Sequence, residues 1–157
     1  MEDLSKVLNE LHVATRKGFV PTTFDQRLRI QKCVYMLKAF GHPVAQEFEF
    51  GTYFHGPYSP GLARVYYGKK QAAGITGRAN PQAENTALVA VAEAASRGNL
   101  FLEALATLHS VASLRGLGKS EAMGVVESLK PHVKGDLEDA WAYLVQFGLV
   151  DTRTSTR

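Results

Sequence analysis

Apolar residues recur at every third and fourth position along most of this chain, and polar or glycine-proline breaks divide those stripes into short helices. The first stripe, Leu4, Val7, Leu8, Leu11 and Ala14, predicts a helix over about 3–17, stopped by Gly18 and Pro21. Thr23 has the side chain of an N-cap, and Gln26 stands three residues on as in a capping box, so a second helix is expected over 24–40. Its Leu28, Cys33, Val34, Leu37 and Phe40 are expected to point inward. Apolar residues fill most of its circumference, which predicts the central, most buried helix. The period then changes to two. Phe48, Phe50, Thr52 and Phe54 alternate with Glu47, Glu49, Gly51, Tyr53 and His55, the pattern of a short strand. Its backbone groups need a partner, either in the same hairpin or near Leu149-Val150-Asp151-Thr152.

Gly56-Pro57-Tyr58-Ser59-Pro60 reads as a rigid loop between this strand and the next helix. Two prolines fix φ, Gly56 supplies freedom before the first, and Ser59 is placed to cap a helix in which Pro60 is the first residue. That helix is expected to run to about Lys70, with Tyr58 substantially buried. A mobile loop is predicted over about 71–85, where Gly, Ala, Asn and Pro prevail, with Asn80-Pro81 as a helix-start signal near its end. Further helices follow to about Arg97, over 100–114 with Leu102, Leu105, Leu108 and Val111 inward, over 121–129, and from Gly135-Asp136 to Gly148 with Trp141, Leu144, Val145 and Phe147 inward; a frayed tail is expected over 152–157. The predicted fold is mainly α, with about six to seven helices and a small β element, in one compact domain over 1–157. The helix–strand–helix order of its N-terminal half is compatible with a winged-helix-like unit.

A chain of 157 residues buries roughly 70% of its unfolded surface, enough for a core without covalent staples. Its single cysteine, Cys33, excludes an internal disulfide framework, fits a reducing compartment, and lies on an apolar helix face as an inert thiol. The polar N-terminus and the short, Glu93-interrupted alanine run at 87–95 predict a cytoplasmic protein without a membrane span. The net charge of +3 is uneven, with eleven Lys and Arg against six Asp and Glu in residues 1–80. Arg64, Tyr66, Tyr67, Lys69 and Lys70 interleave basic and aromatic side chains, a pattern that can contact phosphates and stack bases, and in that reading share a face with Arg27 or Lys38.

No catalytic constellation emerges. Arg115-Gly116-Leu117-Gly118-Lys119-Ser120 ends like a phosphate-binding loop, but the spacing needs glycine where Ser113 stands, and a strand where a helix is predicted. The histidines at 12, 42, 55, 109 and 132 lack metal-ligand spacing, so neither metal nor cofactor is expected. His55, beside the Gly-Pro loop, reads as a neutral imidazole bonded to it.

Two segments carry a resemblance. Gln31-Lys32-Cys33-Val34-Tyr35-Met36-Leu37 and Tyr53-Phe54-His55-Gly56-Pro57-Tyr58-Ser59-Pro60-Gly61-Leu62 are similar to the "QKxxYxL … YxxGPYSPxL" signature of YwgA-like proteins, relatives of the SocA-like or Panacea antitoxin domain. Leu102–His109, Leu129–His132 and Ala140–Leu149 resemble the later helices of that branch, while the closing pattern of Panacea domains is not visible. The resemblance implies a non-enzymatic protein-interaction module of antitoxin or adaptor type, in a toxin–antitoxin or phage-defence setting. Its partner would be a toxin, a protease or another defence component, met by His55, Gly56, Pro57, Tyr58, Ser59 and Pro60. The alternative is a nucleic-acid-binding regulator that uses Arg64, Tyr67, Lys69 and Lys70.

Overall fold

A computed structural model of the chain describes residues 4–53, 56–69 and 80–152. Helix α1, Leu4–Thr15, buries Leu4, Val7 and Leu11, and it stops earlier than expected because Arg16 takes a left-handed backbone at φ 60°. Thr23 Oγ1 accepts the Gln26 N–H and starts α2, Phe24–Ala39. The capping box is only half made. Gln26 Oε1 turns away to accept the Val20 N–H at 3.0 Å, which fastens the α1–α2 connection instead.

A 3-10 turn at Pro43–Ala45 and the buried Phe48 lead into β1, Gly51–Tyr53, which is shorter than the predicted strand. Its partner lies in the same hairpin. Gly56–Tyr58 is not loop but strand β2, antiparallel to β1 with Gly51 opposite Tyr58 and Tyr53 opposite Gly56. Both prolines fit: Pro57 pairs only in this two-stranded ribbon, and Pro60 opens α3, Pro60–Tyr66, with Ser59 Oγ accepting the Leu62 N–H at 3.1 Å. Gly68, at φ 73°, follows the end of α3 short of Lys70.

Asn80 caps α4 by accepting the Ala83 N–H, and α4 spans Pro81–Ser96, so the last residues of the predicted 71–85 loop are helical. Their polarity marks the exposed first turn of a helix. Residues 70–79 and the expected tail from Arg153 lie outside the described residues. Helices α5, Asn99–Arg115, α6, Lys119–Leu129, and α7, Leu137–Gln146, complete the order, with a 3-10 segment at Pro131–Asp136 between the last two. Seven α-helices and one β-ribbon among the described residues make the fold mainly α.

The centre of the core is α5, not α2. Every residue from Phe101 to Leu108 is buried, and α5 packs against α2, α4, α6, α7 and the hairpin. Helix α2 lies beside it and buries Ile30, Cys33, Val34, Met36 and Leu37. On α7, Tyr143 rather than Val145 points inward; its hydroxyl donates to the Ala90 carbonyl at 2.6 Å and ties α7 to α4.

Candidate functional site

The most buried polar side chains of α2 are the neighbours Gln31 and Lys32, at 1% and 2% exposure. Both reach the main chain of the hairpin. The Gln31 amide donates to the Ser59 carbonyl at 3.0 Å and accepts the Ser59 N–H at 2.8 Å. Lys32 Nζ donates to the Pro57 carbonyl at 2.8 Å. A two-stranded ribbon with three residue pairs has unpaired edge groups and little stability of its own. Here two helix side chains serve the β2 edge and the turn into α3.

From the other side the hairpin rests on α5. Gly56 has φ 91°, and a β-carbon there would collide with Thr107 Oγ1, so this position demands glycine twice over. The Thr107 hydroxyl is itself buried, with no hydrogen-bond partner among the described residues.

One turn earlier on α5, the buried Glu103 accepts from Lys130 Nζ at 2.8 Å and meets His132 Nε2 at 2.9 Å. Burial alone would raise the Glu103 carboxyl, but these two partners outweigh it and hold the group below the usual carboxylate range. Lys32 lies in the same field. Burial lowers its ammonium to about 8, Lys130 adds repulsion and Glu103 opposes both. Lys32 and Lys130 are two buried ammonium groups beside one buried carboxylate.

On the outward side of this clamp is a pocket of about 240 Å³ between the start of α2 and the end of α3. Phe24, Tyr58, Tyr66 and Tyr67 line it with rings, and Arg27, Gln31 and Lys32 bring its polar groups. Tyr66 and Tyr67 meet edge to face at 4.9 Å between centroids. Phe24 and Tyr67 remain 53% and 51% exposed, which is unusual for rings sharing one concavity.

Of the residues expected at the site, Gly56 and Pro57 are buried in β2, Ser59 is a buried cap, Pro60 is exposed, and Tyr58 is half-buried with its ring at the pocket. His55 lies outside the described residues, as does Lys70. Tyr67 and Arg27 do come together at the pocket, whereas the exposed Arg64 and Lys69 do not line it. Lys38 is not on a shared basic face; its Nζ donates to the Phe48 carbonyl at 2.5 Å. Arg29 likewise donates to the Gly18 carbonyl and lies over the Phe19 ring. The residues missed were Gln31, Lys32, Glu103 and Lys130 as a group. Only Glu103 carried a signal, a charged side chain inside the apolar run Leu100–Leu108, whereas Lys130 stands outside the helices, between α6 and the 3-10 segment.

Three other features bear on chemistry. His109 lies between the Tyr35 hydroxyl at 2.7 Å and Ser113 Oγ at 3.3 Å, and burial lowers its pKa. Ser113 sits in the last turn of α5, where helix carbonyls point outward, the wrong polarity to stabilise an oxyanion. The Gly116–Ser120 turn is a left-handed cap at Gly116 followed by the start of α6, with Lys119 paired to Glu138 at 2.9 Å. Burial pushes the Cys33 thiol up to about 12, far from a reactive thiolate.

Among the described residues no group of His, Cys, Asp and Glu has the arrangement of a metal site, and no helix is long and apolar enough to cross a membrane. Compared with protein-family models, with curated proteins and with solved structures, the chain finds no match in any of the three.

Proposed function

We propose that this chain is a non-enzymatic protein-interaction module of the antitoxin or adaptor kind, acting in the cytoplasm within a toxin–antitoxin or phage-defence system. The observation that carries the reading is the pair of exposed rings, Phe24 and Tyr67, at a pocket whose hairpin wall is fastened to two helices. Exposed aromatics on a rigid support are what a protein interface uses as anchors. The YwgA-like resemblance supports the same class. The nucleic-acid alternative is weakened because Arg29 and Lys38 are turned to main-chain carbonyls.

The test is co-expression with the products of genes adjoining its own, followed by co-purification. A stoichiometric complex lost in Phe24→Ala with Tyr67→Ala, while the circular dichroism spectrum is unchanged, supports the reading. Sub-micromolar binding of DNA or RNA at physiological salt, abolished by Arg64→Ala with Lys69→Ala and Lys70→Ala, would establish the alternative instead.

A further inference from the structure

The pocket beside the hairpin is not merely apolar. Its charged lining residues are Arg27 and Lys32, and among the described residues no carboxylate lines it. Lys32 is 2% exposed, and among the described residues its ammonium has one acceptor, the Pro57 carbonyl. An ammonium has three donors, so its hydrogen-bonding capacity is largely unspent. The carboxylate whose field it feels, Glu103, already accepts from Lys130 and His132 through one oxygen. Behind Arg27, the Lys32 ammonium adds positive potential to the pocket, which favours an anion that enters from the open side.

From these observations we infer that the pocket receives the carboxylate of an Asp or Glu side chain in an acidic segment of a partner protein, with a neighbouring apolar side chain of that segment lying on Phe24 and Tyr67. The inference rests on the interaction-module reading and gives its partner a chemistry. A volume of about 240 Å³ suits one or two side chains. Arg27 is the half-buried guanidinium able to take a carboxylate two-pronged, and the rings match an apolar flank. A nucleic-acid strand requires a row of exposed cations along its phosphates. Around this pocket no such row forms: Arg27 and Lys32 are the cations among its described lining residues, and the exposed Arg64 and Lys69 do not line it.

A random dodecapeptide display library, selected on the full chain at physiological salt, tests the inference beside a fluorescent twenty-residue oligothymidine. The expected result is enrichment of peptides with Asp or Glu next to a large apolar residue. Their affinity should fall about tenfold in Arg27→Gln, the size of one lost charge-assisted hydrogen bond. Arg27 is not part of the clamp, so this variant keeps the fold. Lys32→Gln is the second variant and should also weaken the selected peptides. Enrichment of neutral or basic peptides that still depend on Phe24 and Tyr67 would overturn the inference and leave the interaction-module reading standing. No enrichment would overturn it as well, and oligothymidine binding lost in Arg27→Gln would assign the pocket to nucleic acid.

Discussion

Gln31 and Ser59 hold each other as two peptide groups do across a sheet, each giving one hydrogen bond and taking one, at 3.0 and 2.8 Å. A carboxylate has the shape of the amide but no donor. Gln31→Glu therefore keeps the bond from the Ser59 N–H and sets a charged oxygen against the Ser59 carbonyl in a buried place. The expected loss is about 2–3 kcal/mol, read from the midpoint of urea unfolding at unchanged slope. An unaltered midpoint would show that the hairpin is held by other contacts.

Lys32 gives the protein a pH signature of unusual sign. Its folded pKa, about 8, lies below the unfolded value of 10.5. Between these pH values the unfolded chain binds more protons than the folded one, so this residue makes stability rise with pH. Cys33, Tyr35, Tyr66 and Tyr143 act the other way in the alkaline range, because burial raises their folded pKa values. The comparison with Lys32→Met removes what the two proteins share. Wild type should gain on the variant by about 3 kcal/mol as pH goes from 8 to 10.5, measured by urea unfolding at each pH. A constant difference would mean that Lys32 is not held in the buried state.

Gly56→Ala should be strongly destabilising, by about 3 kcal/mol or more, because positive φ and a collision with Thr107 act together. Thr107→Ala in the same chain should return the steric part and leave the conformational part. Thermal melts of the two single variants and the double variant separate them, and strictly additive losses would deny the contact. Thr107→Val, which replaces an unpartnered buried hydroxyl, should be neutral or slightly stabilising.

Glu103 and Lys130 are a buried pair, so breaking it on one side differs from replacing it. Glu103→Ala leaves Lys130 without its carboxylate and should lose about 3–5 kcal/mol, whereas Glu103→Leu with Lys130→Met should lose far less. The pair also sets an acid limit. A carboxyl held below its ordinary pKa stabilises the fold above the unfolded value and loses that contribution as pH falls through the folded one. The acid-unfolding curve of the double variant should lack that component.

Tyr58 is half-buried with its ring at the pocket, so Tyr58→Ala should cost about 1 kcal/mol rather than the roughly 3 kcal/mol of a fully buried aromatic. Its larger effect should fall on partner binding. A melt showing the full loss would place the ring in the core.

The caps were legible because their chemistry is local: Thr23, Ser59 and Asn80 each accept a backbone N–H three residues ahead. The stripe of α5 was legible too, since Leu102, Leu105, Leu108 and Val111 are all buried. That α5 rather than α2 is central was not, because centrality depends on how many elements surround a helix. Gln31 and Lys32 were equally opaque as clamp residues. A polar residue on a helix ordinarily faces water, and what buries these is a strand and turn 25 to 28 residues further along the chain.

The clamp grips the hairpin by its main chain: a carbonyl at Pro57, and a carbonyl and an amide at Ser59. Main-chain atoms are the same whatever side chain a residue carries. The surface offered by Tyr58, and by Phe24 and Tyr67 across the pocket, can therefore be rewritten while the frame that presents it stays in register. Such a scaffold can change its partner by a few substitutions without having to be refolded around each one, and a grafted library at those three positions should yield folded proteins far more often than one at Gln31, Lys32 or Gly56.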